Sequence, residues 1–297
     1  MPSGAPAILV RDLRKRYGDH DAVCGLDFEV AVGEVFGLLG PNGAGKTTTV
    51  EILEGYRSRD EGIVSVLGMD PGERPRALRE RVGIVLQSCG IYRHVKVREA
   101  VAYWAGLYPN PRAVDEVIDI VGLGEKRDAL ARTLSGGQAR RLDLALALVG
   151  DPELIFLDEP TTGFDPAARR AAWATVRRLQ ELGKTVLLTT HYLDEAQALC
   201  DRVAIVKDGR MLAEGPPATL GAAASRSRIS WTDEDGATQE REVEDPTALL
   251  HQLTSGALAR GATLRDLTVS RPSLEDVYLE LTEDAADDVA STMEATP

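Results

Sequence analysis

Apolar residues along this chain fall into short continuous runs and longer periodic stretches. Val35 to Leu39 is an apolar run that stops at Gly40-Pro41-Asn42-Gly43-Ala44-Gly45, and Lys46 to Leu53 follows with helical character, which predicts strand, glycine-rich loop and helix in that order. Leu154 to Leu157 is wholly apolar and Thr185 to Thr190 is rich in β-branched residues, as expected of strands buried on both faces of a parallel sheet. Between them Val114, Val117, Ile118 and Val121 follow helical spacing, and so do Leu142, Ala145, Leu146 and Val149, so residues 88–150 read as mainly helical. Arg202 to Lys207, Asp208-Gly209 and Arg210 to Glu214 carry the signature of a hairpin, ended by Gly215-Pro216-Pro217. Beyond it, 229–231 and 239–243 suggest a second hairpin, and 247–255, 264–269 and 272–282 read as helix, strand, helix. The pattern therefore predicts an α/β domain followed by a small α+β domain, with no internal repeat.

Charge sharpens the division. The chain of 297 residues has a formal charge of −13, of which −10 lies in residues 221–297, so a domain boundary is expected near 220. The acidic, small-residue tail 283–297 is expected to be disordered. So negative a chain repels a phosphate backbone at long range, which argues against nucleic acid as a partner. Cys24, Cys89 and Cys200 are odd in number, far apart and without metal-ligand spacing, so they read as buried free thiols in a reducing compartment. The first 25 residues hold several charges and no apolar leader core, and no stretch approaches the roughly 18 apolar residues of a membrane span. A membrane role is expected to come through a partner.

Three motifs carry chemistry. Gly40 to Thr47 fits G-x-x-x-x-G-K-[ST], in which backbone N–H groups and a helix N-terminus face phosphate oxygens; Lys46 would reach the β- and γ-phosphates and Thr47 would offer its hydroxyl to Mg²⁺. Asp158 and Glu159 end an apolar strand on the edge where open α/β sheets bind ligands. Such a pair can also be a helix cap or a solvated corner, but beside a phosphate loop Asp158 suits the Mg²⁺ shell and Glu159 suits the water that attacks the γ-phosphate. Ser135-Gly136-Gly137-Gln138 opens the amphipathic helix that runs to Val149, a serine-capped start that also offers N–H donors for a second phosphate cradle. Two cradles for one nucleotide suggest that one is supplied by a second copy.

Taken together, Gly40 to Thr48, Leu134 to Gln138 and Leu157-Asp158-Glu159-Pro160, with Asp158 placed 23 residues after Ser135, resemble the ATPase subunit of an ABC transporter over about residues 7–220. The resemblance implies a P-loop NTPase core with an antiparallel β-subdomain and an inserted helical subdomain at about 88–150, ahead of the small α+β domain at 221–282. It implies ATP and Mg²⁺ as ligands, with Gly40, Pro41, Asn42, Gly43, Ala44, Gly45, Lys46, Thr47 and Thr48 around the phosphates and Tyr17 stacked on adenine. Gln87 would link Mg²⁺ and the attacking water to the helical subdomain, His191 would touch the γ-phosphate, and Asp165 would couple two sites; Phe164 departs from the leucine more common beside that aspartate. The implied assembly is two copies head to tail, sandwiching ATP between Lys46, Asp158, Glu159 and His191 of one and Ser135 to Gln138 of the other.

Pro272 to Leu279 resembles the C-terminal segment of bacterial drug-exporter ATPases of the daunorubicin-resistance type, although Tyr278 stands where phenylalanine is more usual. That resemblance implies an ABC-2 class integral membrane permease as partner, a drug-like or lipid-like substrate, and a place at the cytoplasmic face of the plasma membrane. Arg79 to Val101, with Ile91, Tyr92 and Val95 as apolar anchors, would receive the permease; the same residues could be subdomain core. The cassette also serves importers and soluble mechanochemical ATPases. The latter usually carry long coiled coils or two cassettes per chain, which this sequence does not, and the C-terminal segment separates it from the former.

Overall fold

The computed structural model describes residues 4–86, 94–223, 227–233 and 236–270, with Leu274, Glu275 and Tyr278. The chain divides after Glu214 into two compact units, a few residues ahead of the change in charge.

The first unit opens with β1 (Ile8–Tyr17) and β2 (His20–Val30), an antiparallel pair whose cross-strand partners Ile8 and Val30, Val10 and Phe28, and Leu13 and Leu26 are all buried. Buried apolar pairs of this kind are what hold a sheet together. β3 (Val35–Leu39) follows, buried at all five positions, and Phe36 on it stacks on Phe28 at 5.5 Å between ring centroids. α1 (Lys46–Leu53) leads to β4 (Glu61–Val66), which completes a three-stranded sheet on the free side of β1. The pairing of β1 shifts register between Val10 and Leu13. That irregularity breaks the two-residue alternation of β1, whereas Leu26, Phe28 and Val30 of β2 keep it.

α2 (Arg76–Arg81) runs into β5 (Val82–Val85), and a helical segment follows: α3 (Val97–Ala105), α4 (Val114–Ile120) and α5 (Gly136–Leu148). The periodic residues Val117, Ile118, Val121, Leu142, Ala145 and Val149 are its buried face, and α5 packs on α3, α4 and β5. β6 (Leu154–Asp158), α6 (Pro166–Glu181), β7 (Thr185–Thr190), α7 (Leu193–Leu199), β8 (Arg202–Lys207) and β9 (Arg210–Gly215) complete the unit. The main sheet has the order β5-β6-β7-β3-β8-β9, with β5 to β8 and β3 parallel and β9 returning over the Asp208-Gly209 turn. β7 lies between β3 and β6, so the carboxyl ends of three strands distant in sequence meet at one edge.

The second unit holds α8 (Pro217–Ala223), an antiparallel sheet ordered β11-β10-β12 from β10 (Ser227–Thr232), β11 (Thr238–Val243) and β12 (Arg265–Ser270), and α9 (Pro246–Ala259). α9 starts on Pro246 behind the Asp245 cap and runs four residues past the 247–255 expected from the pattern. Of the expected helix 272–282 only Leu274, Glu275 and Tyr278 are described, all helical; the rest, the tail 283–297, Cys89, Gln87, Ile91 and Tyr92 lie outside the described residues. Cys200 is buried, and its burial pushes the thiol pKa upward. Among the described residues no helix is long and apolar enough to cross a membrane.

Phe156 is fully buried in β6, two residues before Asp158. Phe156→Ala should cost about 3–5 kcal/mol by urea unfolding followed by circular dichroism; a loss under about 1 kcal/mol would contradict this account of the core.

Candidate nucleotide site

The loop from Gly40 to Gly45 is shaped by close backbone approach. A Cβ on Gly40 would stand 2.1 Å from the Val206 carbonyl oxygen, and one on Gly45, at φ +94°, would stand 2.3 Å from that of Ala22. Neither neighbour can move, so only glycine fits. The loop is tied down by Gly209 N–H donating to the Ala44 carbonyl at 3.2 Å, while Cys24 N–H donates to that of Gly209 at 2.8 Å. α1 then begins at Lys46, whose ammonium is buried and donates to the carbonyls of Gly40 at 2.7 Å and Pro41 at 2.9 Å. Thr47 is exposed, whereas Thr49 turns inward and donates to the Gly45 carbonyl at 2.9 Å. No acidic residue stands in the first turn of α1 to offset its positive end. Asn42 and Gly43 are exposed at the loop tip. Tyr17 ends β1 with its ring accessible, Lys15 Nζ 5.4 Å and the Arg57 guanidinium 5.5 Å from its centroid.

Sheet register brings the other groups alongside. Leu39 pairs with Thr190 and Asp158 with Thr189, so the phosphate loop, His191 and the two carboxylates leave the sheet at one edge. The Thr189 hydroxyl donates to Asp158 Oδ1 at 2.5 Å and accepts from the Glu159 N–H at 3.0 Å. Glu159 sits at φ +44°, a left-handed conformation that costs a non-glycine residue on the order of 1 kcal/mol and persists where neighbours hold it. Its Oε2 accepts from the Thr162 hydroxyl at 3.0 Å and its Oε1 lies 3.2 Å from His191 Nδ1. Burial lowers the Lys46 pKa, and the nearby charges of Glu159 and Asp158 oppose that fall. A cation and two carboxylates thus face one another across β7.

Several of these groups escape sequence reasoning. Thr189 and Thr162 belong to stretches that read as plain strand and loop, and only the register reveals their roles. Arg140 of α5 donates to the Asp158 carbonyl at 2.8 Å and to that of Leu86, tying the helical segment to the end of β6. Glu195, wholly buried on α7, accepts from the Thr161 hydroxyl at 2.7 Å and from Trp173 Nε1 at 3.2 Å. Burial raises its pKa against the pull of those donors. It braces the turn after Glu159 against the helices that follow Asp165 and His191.

The second cradle stands apart. Ser135 caps α5, its Oγ accepting from Gln138 N–H at 3.3 Å while Gln138 Oε1 accepts from Ser135 N–H at 3.0 Å. Ser135 to Gln138 line a cleft of about 400 Å³ with Gly163, Phe164 and Asp165, and none of residues 40–48 reaches it. Asp165 caps α6, its Oδ1 accepting from the N–H groups of Ala167 and Ala168 at 2.8 Å. The structure therefore joins Lys46, Asp158, Glu159 and His191 in one group and Ser135, Gly136, Gly137, Gln138 and Asp165 in another.

At the far end of α1, Glu54 lines a groove of about 880 Å³ between α1, α2, β5, α3 and α5. Both carboxyl oxygens are buried without a hydrogen-bond partner, and desolvation, helped by Asp158 and Glu51, pushes its pKa up to about 8.

The family model for ABC transporters matches residues 23–162. The chain is 41% identical to the Nod factor export ATP-binding protein I of Burkholderia orbicola (strain AU 1054), over 92% of this chain and 95% of that protein. It is 40% identical to the daunorubicin/doxorubicin resistance ATP-binding protein DrrA of Streptomyces peucetius, over 97% of this chain and 96% of that protein. It belongs to the exporter-type ABC transporter ATPases. Among solved structures, cbiO1 from Clostridium perfringens, part of the ABC transporter complex cbiONQ, matches at 29% identity with a TM-score of 0.68, over 74% of this chain and 92% of that one. The ABC ATPase binds ATP and hydrolyses it to power transport. Membership of this family implies a membrane permease as partner and dimerisation of the ATPase. Nothing found favours the importer or the soluble mechanochemical alternative.

Two outcomes follow from this geometry. Thr189→Val, which removes both hydrogen bonds at the ends of β6 and β7, should lower kcat for ATP by at least about tenfold while costing about 1–3 kcal/mol of stability; steady-state ATPase assays and urea unfolding measure the two, and an unchanged kcat would remove Thr189 from the site. Glu54 keeps its proton to about pH 8 when folded but loses it near its ordinary value of 4.5 when unfolded, so its contribution to stability falls as pH rises through that window. The stability of Glu54→Gln relative to the parent should therefore grow by on the order of 3 kcal/mol between about pH 5 and pH 8.5, and urea unfolding of both proteins at the two pH values checks the sign.

Proposed function

We propose that this ATPase energises export of a drug-like or lipid-like molecule through a separate ABC-2 class permease, at the cytoplasmic face of the plasma membrane and without a nucleic-acid partner. The likeness to the Nod factor export and the daunorubicin/doxorubicin resistance proteins supports this reading because it runs over more than nine tenths of the chain, second unit included. The hydrolytic part rests on one observation: Glu159, fixed at a left-handed backbone position by Thr189, stands between Thr162 and His191 at the sheet edge that also carries Lys46.

In this reading the N–H groups of residues 40–48 and the Lys46 ammonium hold the phosphates, and Tyr17 takes the adenine ring. Hard oxygen donors suit a Mg²⁺ ion that keeps water and phosphate ligands, and Thr47, exposed at the start of α1, and Asp158 are such donors. Thr47, Asp158 and Gln87 would hold it, and it would supply neutralisation of charge on the phosphate oxygens. Glu159 orients the attacking water and accepts its proton, using a carboxylate whose two oxygens are already directed by the Thr162 hydroxyl and the His191 ring. His191, bridged to Glu159, donates toward the γ-phosphate.

Ser135 to Gln138 lie in a cleft that excludes residues 40–48. This supports two copies arranged head to tail, each offering its α5 N-terminus to the nucleotide of the other, with Asp165 in the same cleft coupling the sites. The groove beside Glu54, whose wall includes Arg79, Val95 and Ala100 from the 79–101 region, is the surface for the permease.

Glu159→Gln should keep ATP affinity while kcat falls by about 10²–10³, and light scattering should show an ATP-dependent doubling of mass. A variant that turns over at the parental rate removes Glu159 from the water-orienting role, and one that stays monomeric with ATP removes the sandwich.

A further inference from the structure

The groove at the end of α1 is apolar over most of its wall, with Leu78, Ile84, Tyr103, Trp104, Tyr108 and Leu146 among its lining. Its ionisable lining among the described residues is uneven: the carboxyl groups of Glu54, Glu99 and Asp143 against the single cation Arg79. Glu99 is engaged by the backbone, accepting from the Lys96 N–H at 2.9 Å. Glu54 differs, since neither of its oxygens has a partner although both are removed from solvent. Burying a carboxyl in that way is costly unless a donor arrives, so the group calls for an explanation, and a donor supplied from outside the chain is one. A helix about 10 Å across that rises 5.4 Å per turn fills about 420 Å³ per turn, so the groove of about 880 Å³ takes about two turns.

We propose that Glu54 selects the membrane partner by receiving one Lys or Arg side chain from a short apolar segment of the permease seated in this groove. This rests on the reading of the groove as the permease surface and adds the chemistry of recognition. A cation fits because it meets an acidic, aromatic-lined wall, where a guanidinium or ammonium gains a charge-assisted hydrogen bond to the carboxyl and contact with aromatic faces. A permease segment carrying an acidic residue at that point would meet Glu54, Glu99 and Asp143 and be rejected, a repulsive element of the kind specificity needs. Binding would also convert Glu54 from the proton-bearing form that burial favours to the carboxylate, so docking releases a proton near neutral pH.

The test places a photoreactive benzoylphenylalanine at Tyr103, which is exposed on the groove wall, in the full chain expressed in its native host. Mass spectrometry of the crosslinked peptide is expected to return a cytoplasmic segment of an integral membrane protein with a Lys or Arg among apolar residues. Glu54→Lys should lower the yield at least tenfold, Glu54→Gln should lower it less, and replacing the partner's basic residue with Glu should restore the yield of Glu54→Lys. A thermal melt of each variant shows that it is folded, and the restored pair keeps the test decisive if Glu54→Lys is destabilised. Crosslinking to a membrane protein that is indifferent to Glu54→Lys, or is not restored by the reversal, overturns the role of Glu54 and leaves the permease reading standing. Crosslinking only to a second copy of this chain, or saturable binding of tetraphenylphosphonium to the purified protein with no membrane protein captured, overturns both.

Discussion

β7 separates β3 from β6, and its Thr189 and Thr190 are the points at which the site is assembled. The Gly40 N–H donates to the Thr190 carbonyl at 3.4 Å, while the Thr189 hydroxyl serves Asp158 and Glu159 at once. One strand end therefore sets the spacing between the phosphate loop and the carboxylates, and His191 follows directly on the same strand. In a parallel sheet this edge also gathers the N-termini of the helices that follow the strands, so ligand-binding N–H groups and side chains meet without further machinery. A shift of β7 by one residue would turn Thr189 to the other face of the sheet and leave both carboxylates unheld.

Such an edge is expensive to build, and its supports lie one layer back. Lys46 and Glu195 are both buried, and burial opposes the charge of each. Lys46 is compensated by two loop carbonyls and by the charges of Glu159 and Asp158, whereas Glu195 is compensated by Thr161 and Trp173. Because Glu195 joins the turn after Glu159 to the helices that carry Asp165 and follow His191, strain at Glu159 is shared by elements that also border the second cradle. Arg140 makes the corresponding link from the helical segment through the Asp158 carbonyl. A displacement of that segment would be passed to the end of β6 through this bond.

Legibility in the sequence followed the locality of the physics. The loop 40–45, the start of α1 and the capped start of α5 were readable because glycine placement, the Ser135 cap and apolar runs are local signals. β3, β6 and β7 were readable as runs buried at nearly every position, and β8 and β9 through the Asp208-Gly209 turn between them, whereas the four-residue β5 was too short to stand out. β1 was not, since the register shift between Val10 and Leu13 breaks its alternation; β2 keeps its alternation from Leu26 to Val30 and was missed all the same, and the resemblance to a family supplied the antiparallel β-subdomain. Thr189, Arg140 and Glu195 were invisible for another reason: each acts on partners 18 to 54 positions away, through contacts that exist only once the tertiary fold is formed, and Thr162, although only three positions from Glu159, sits in a stretch that reads as plain loop. Glu54 at the end of α1 looks like an ordinary solvated residue in the sequence, and only the packing of α2, α3 and α5 around it shows that its carboxyl is dry.

The second cleft contains the start of two helices, and their caps differ in charge. α6 is capped by the Asp165 carboxylate, which accepts from two of its N–H groups and brings a full negative charge to its positive end. α5 is capped by the neutral hydroxyl of Ser135, with Gln138 closing the box, and has no acidic residue in its first turn. An anion approaching this cleft is therefore attracted by α5 and repelled at Asp165, so a phosphate would be drawn to the Ser135 side and away from α6. The phosphate loop shows the same design, since α1 likewise lacks an acid in its first turn. α1 and α5, which the head-to-tail arrangement would aim at one nucleotide from opposite sides, both start without negative charge, and the helix neutralised by Asp165 is one that arrangement leaves free of phosphate.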